Sequence, residues 1–127
     1  MPVEFRKWVT RADLRAAPQK FFVFGDNVAR KGYGGQAKEM RGEPNAIGIP
    51  TKWAPSMEPS AMFYDHQRNN IIEQIQPDLD KVENILKSGR TIVWPHDGIG
   101  TGRAKLPQNA PLLVEQLNDW ISKLVYE

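Results

Sequence analysis

Cysteine is missing from all 127 residues, which excludes disulfide bridges and thiolate metal sites and fits a reducing compartment. Histidine is scarce: His66 and His96 are far apart in the chain, so no metal centre is expected. The first seven residues, Met1 to Lys7, contain no apolar signal core, and no run is long enough to span a bilayer. A cytoplasmic location without a membrane partner is the expectation. A surplus of either charge is also lacking, because 17 basic residues face 15 acidic ones for a net charge of +2. Dispersed charge of that size gives no electrostatic basis for wrapping a duplex, so nucleic acid is not an expected partner.

What is present suits one globular domain over residues 1–127, with 40% hydrophobic and 25% charged residues supplying both a core and a solvated surface. Glycine is concentrated. Seven of the ten glycines fall in two clusters, each directly after an apolar β-type run. The first run, Phe21-Phe22-Val23-Phe24, leads into Gly25-Asp26-Asn27 and then Gly32-Tyr33-Gly34-Gly35. The second, Thr91-Ile92-Val93-Trp94, leads through Pro95-His96-Asp97 into Gly98-Ile99-Gly100-Thr101-Gly102. Glycine-rich turns leave consecutive backbone N–H groups free, and such groups form anion-binding concavities. Two of them leaving strand ends predict a pocket for a phosphate-bearing ligand.

The remaining pattern alternates strands with helices. An edge strand is expected at 5–9, then a short helix at 11–17 opened by a capping box in Thr10-Arg11-Ala12-Asp13 and stopped by Pro18. Buried strands follow at 20–24, 45–50 and 91–94, with a short helix at 36–41 and an irregular loop at 53–60. A helix is expected over 63–76, restarted or kinked at Pro77 and continuing to Gly89, and Asn109 is expected to cap the last one. Trp8, Trp94 and Trp120 lie in apolar runs and read as core, whereas Trp53 reads as exposed. The alternation predicts an α/β sandwich on a mixed, partly parallel sheet, with ligands outside the carboxyl ends of the strands.

Neither cluster has the spacing of a Walker loop or a dinucleotide fingerprint. The second could bind a diphosphate through its amides and the Thr101 hydroxyl, or could be a tight turn. Asp26 and Asn27 suit turn-making as well as ligand contact. Tyr33 could stack on a base or sugar, or cover the core. Arg30, Lys31, Lys38, Arg41, Lys52, Arg103 and Lys105 beside the loops suit a small anionic ligand or a solvated rim.

Gly25-Asp26-Asn27, then Gly32-x-Gly34-Gly35-Gln36-Ala37, then the run Arg41-Gly42-Glu43-Pro44-Asn45-Ala46-x-Gly48-Ile49-Pro50-Thr51-Lys52 resemble small bacterial and phage proteins. Those in turn are similar to macrodomains, the ADP-ribose-binding fold. The resemblance covers about Phe21 to Pro111 and implies a three-layer macrodomain-like sandwich. It matches Asn27, Gly32, Gly34 and Gly35 to the first macrodomain loop, Ile47 to Lys52 to the strand and turn leading to the pocket wall, and Gly98 to Gly102 to the diphosphate-binding loop. Gly25, Tyr33, Thr51, Lys52 and Arg103 are expected as further ligand contacts beside them.

The implied ligand is ADP-ribose or a related nucleotide, free or on an ADP-ribosylated protein, with no other cofactor. An ADP-ribosyl hydrolase would use Asp26 or Asp97 to activate water. Two departures stand out. Asp13 is the one aspartate before the first loop, where macrodomains carry an adenine-contacting one. Arg103 and Ala104 stand where one hydrolase branch carries an acid. A non-enzymatic protein that sequesters a nucleotide signal, or a protein-interaction scaffold using Trp53, are the other readings.

Overall fold

A computed structural model describes residues 2–126. Four strands, β1 (Val3–Arg6), β2 (Phe21–Asp26), β3 (Ala46–Pro50) and β4 (Ile92–Pro95), form one sheet in the order β1-β4-β2-β3. Every strand pairing is parallel: Val3 opposes Ile92, Phe21 opposes Ile92, and Phe22 opposes Ala46. The sheet is therefore not mixed. The antiparallel pairing that does occur is an isolated bridge between Lys52 and Met62, outside the named strands. Parallel strands need crossovers, and helices supply them.

Side chains alternate across the sheet, so each strand feeds two cores. Val23 of β2, Ile47 and Ile49 of β3, and Ile92 and Trp94 of β4 face one apolar cluster. That cluster is completed by α3 (Arg68–Lys87) through Ile71, Ile75, Leu79, Val82 and Leu86, and by α5 (Pro111–Tyr126) through Leu113, Leu117, Ile121 and Leu124. Phe22, Phe24 and Val93 face the other cluster, with Leu14 of α1 (Arg11–Ala16) and Ala37 and Met40 of α2 (Ala37–Met40). A short α4 (Leu106–Asn109) precedes α5. Among the described residues no helix is long and apolar enough to cross a membrane.

Several local expectations hold and several shift. The capping box opens α1 as read, with the Thr10 amide donating to Asp13 Oδ2 at 2.9 Å and the Asp13 amide donating to Thr10 Oγ1 at 3.2 Å. Pro77 neither restarts nor ends its helix but lies inside the 20-residue α3. A proline there removes one intrahelical bond, and burial of Ile75 and Leu79 on either side holds the helix together across it. Asn109 belongs to α4 and does not cap α5. The Asp65 carboxylate does, accepting from the Leu112 and Leu113 amides at 3.1 and 3.0 Å. That cap comes from 47 residues upstream, where local spacing gives no signal.

Candidate functional site

In a parallel sheet all carboxyl ends lie along one edge. Here the segments leaving all four strands line one cleft of about 490 Å³: Lys7 and Trp8 after β1, the first glycine loop after β2, Thr51 and Lys52 after β3, and the second glycine loop after β4. Since β2 and β4 are neighbours, the two glycine loops meet. A Cβ on Gly25 would stand 3.2 Å from the Gly100 nitrogen, and one on Gly34 would stand 3.2 Å from the Arg103 guanidinium. The loop after β2 runs to α2 in one apolar cluster, and the segment after β4 leads to α5 in the other. Divergence of that kind opens a crevice at a sheet's carboxyl edge.

The sixteen residues expected as ligand contacts or catalytic acids line this cleft: Gly25, Asp26, Asn27, Gly32, Tyr33, Gly34, Gly35, Thr51, Lys52, Asp97, Gly98, Ile99, Gly100, Thr101, Gly102 and Arg103. Of the basic residues noted beside the loops, Arg30, Lys38 and Lys105 are not among its lining. Among the described residues, the N–H groups of Gly32, Tyr33, Gly34 and Gly35 donate to no protein acceptor, and neither do those of Ile99, Gly100, Thr101 and Gly102. Amides nearby are engaged, as with Gly98 to the Pro95 carbonyl at 3.0 Å, Ala37 to the Gly34 carbonyl at 3.2 Å and Leu106 to the Gly100 carbonyl at 2.9 Å. Two runs of unengaged donors on one cleft are what an anion with several oxygens needs.

The side chains divide into braces and free groups. Asp26, read as a candidate base, is buried and ion-paired with Arg41 through both carboxylate oxygens, with Arg30 a further 3.7 Å away. Its oxygens are occupied by guanidinium donors, so its geometry is that of an anchor and not of a base for water. Arg41 also donates to the carbonyls of Gly32 at 2.7 Å and Lys31 at 3.2 Å. Asn27 donates from Nδ2 to the Lys31 carbonyl at 2.8 Å, while its buried Oδ1 meets no protein donor. The first loop is thus held through its carbonyls by Asn27 and by Arg41, which Asp26 anchors.

Other motif residues are braces too. Gln36 exchanges two 2.8 Å hydrogen bonds with the backbone of Val9, tying the loop to the chain leaving β1. Asn45 Nδ2 donates to the carbonyls of Leu14, Ala17 and Lys20. Glu43 accepts from Arg11 and Arg15, and those guanidinium bonds hold its carboxyl below the usual range despite some burial.

Gly100 corrects a simpler view of the second loop. Its φ is +73°, and a Cβ there would meet Leu106 Cβ at 2.9 Å and Thr51 Cβ at 3.0 Å, so packing alone already demands glycine. Gly102 differs: nothing lies within 4 Å of an added Cβ.

The free groups are at the mouth. Asp97 is exposed and lies 3.0 Å from His96 Nδ1. Lys52, half-buried, has its pKa lowered by burial first and by the Arg103 charge second. Lys31 and Arg41, noted in the sequence as suiting an anionic ligand or a solvated rim, also line the cleft, as do Lys7, Trp8, Pro55 and Met57, which the sequence did not mark as ligand contacts. Trp8, read as core, is 54% exposed, because the chain has already left β1 and the sheet no longer covers it. Trp53, read as exposed, packs edge-on against Phe63 at 4.8 Å and donates through Nε1 to Gln67. Tyr33 is 67% exposed and covers no core. With Trp8 and Met57 it forms an exposed apolar rim above a floor of glycine amides.

The fold and cleft together define an α/β protein with paired glycine loops at the carboxyl edge of a parallel sheet. The chain belongs to a family of unknown function (DUF7831), whose model matches residues 4–120 and so takes in every strand but the first residue of β1. No curated protein matches the chain, and no solved structure does.

Proposed function

We propose that the cleft binds ADP-ribose or a related nucleotide diphosphate, with the fold read as a macrodomain-like three-layer sandwich. The observation that carries this reading is the pair of unengaged amide runs, residues 32–35 and 99–102, lining one cleft. Its volume of about 490 Å³ suits a small-molecule ligand. Five basic side chains line it (Lys7, Lys31, Arg41, Lys52 and Arg103) against the two carboxylates Asp26 and Asp97, a balance that favours an anion. Trp8 and Tyr33 offer faces for a base, and Asn27, whose buried Oδ1 meets no protein donor, lines the same cleft.

Binding without turnover is the form of the reading that the carboxylates favour. Asp26 is spent on Arg41, so hydrolysis of an ADP-ribosyl bond would fall to Asp97, at the exposed rim. Titration calorimetry with ADP-ribose, ADP and NAD tests the binding. Saturable heat with ADP-ribose is expected, and no heat with any of the three overturns the reading. Incubation with mono-ADP-ribosylated protein then separates the two forms: retention of the modified protein without released sugar marks a reader, and released sugar marks a hydrolase.

A further inference from the structure

Of the five basic side chains lining the cleft, only Arg41 is ion-paired among the described residues; Lys7, Lys31, Lys52 and Arg103 are not, and the last two come from different loops. The neighbouring ion pairs are Arg41 and Arg30 with Asp26, and His96 with Asp97. Lys52 and Arg103 take part in none among the described residues, although both line the cleft and the loops that carry them meet at Thr51 and Gly100, where an added Gly100 Cβ would stand 3.0 Å from Thr51 Cβ. Among the described residues the Lys52 ammonium donates to the Ser56 carbonyl alone, at 3.3 Å. Arg103 reaches from the second glycine loop across to the first, where its guanidinium lies over Gly34; any side chain there would crowd it, with a Cβ at 3.2 Å from Nη1.

Like charges near one another repel, modestly where solvent screens them, and a negative group brought between them turns that repulsion into attraction. A single negative charge answers one of them. Two charges on adjoining phosphate groups answer both, and the amides of either loop remain available for the other oxygens.

We propose that Lys52 and Arg103 form a clamp across the two glycine loops that selects a ligand bearing two adjacent negative charges, a diphosphate bridge, over one bearing a single charge. Gly34 is the seat that lets Arg103 close it. This deepens the nucleotide-diphosphate reading and rests on it for the ligand class, while the charge selection is a separate claim.

The test is titration calorimetry at low salt with ADP-ribose, inorganic pyrophosphate and 3′,5′-cyclic AMP, on wild type and on Arg103→Gln, Lys52→Gln and Gly34→Ala. Wild type is expected to prefer ADP-ribose to cyclic AMP by about tenfold or more, and each charge-removing variant to lose about tenfold for ADP-ribose and pyrophosphate. Gly34→Ala keeps both charges but unseats the guanidinium, and a loss of a few-fold is expected. All three variants should melt close to wild type, because neither cation is ion-paired among the described residues and the one hydrogen bond at stake, Lys52 to the Ser56 carbonyl, is long at 3.3 Å.

Cyclic AMP binding as tightly as ADP-ribose, or Arg103→Gln binding ADP-ribose as wild type does, overturns the clamp. Arg103-dependent binding of pyrophosphate without binding of ADP-ribose keeps the clamp and removes the nucleotide reading. No binding of any probe removes both.

Discussion

Gly100 and Gly102 are two positions apart and do different work. At Gly100 an added methyl would press on Leu106 and Thr51 at a backbone φ of +73°, so Gly100→Ala is expected to destabilise the protein by about 2–4 kcal/mol. At Gly102 an added side chain meets nothing, so Gly102→Val should leave the thermal midpoint near wild type. If that glycine serves a ligand, the same variant weakens ADP-ribose binding by tenfold or so, on the scale of a lost charge-assisted hydrogen bond. Paired melting and calorimetry check both statements; a Gly102→Val protein that binds normally removes that position from the site. Asp26 belongs with Gly100. Removing its carboxylate strands Arg41, and breaking such a buried pair costs about 3–5 kcal/mol. Urea unfolding of Asp26→Ala should show that loss, and a variant of unchanged stability would return Asp26 to the list of free acids.

The elements were legible wherever the apolar pattern was strong. The capping box of α1, the buried strands β2 and β4 and the stripe through Ile71, Ile75, Leu79 and Val82 were readable because local chemistry and tertiary burial agree there. What escaped the sequence depends on distant partners. Trp8 and Trp53 exchange their expected environments because the sheet ends at Arg6, while Phe63 and Gln67 arrive to cover Trp53. The cap of α5 is likewise non-local: the Asp65 carboxylate, just before α3, accepts from the Leu112 and Leu113 amides. Asp65→Ala is expected to cost about 1 kcal/mol, the usual value of a lost N-cap, read as a lower urea midpoint with unchanged slope. A midpoint equal to wild type would mean that water caps the helix as well as Asp65 does.

For the whole molecule, the meeting of two loops some seventy positions apart follows from parallel pairing of β2 with β4, which brings their carboxyl ends to one edge. The glycine clusters themselves were visible in the sequence; that Arg41, Gln36 and Asn45 are braces and Trp8 a rim residue was not, because each acts on a segment remote in the chain. Proton linkage follows from the same convergence. Burial and Arg103 lower the pKa of Lys52 in the free protein, so the unfolded chain holds that proton more tightly and stability rises with pH across the window up to the ordinary lysine value. A bound anion favours the charged form and raises the pKa again. Affinity is therefore full below the lowered value and falls as pH climbs through it. Calorimetry in buffers of different ionisation enthalpy, at alkaline pH, should detect proton uptake on binding to wild type and none with Lys52→Gln; equal uptake by both would assign the proton to another group.

The most direct measurement is an amide chemical-shift titration of isotope-labelled protein with ADP-ribose. If one pyrophosphate is gripped from both sides, the amides of Gly32 to Gly35 and of Ile99 to Gly102 shift together along a single saturation curve. Movement of one loop alone, or of neither, would contradict a shared site.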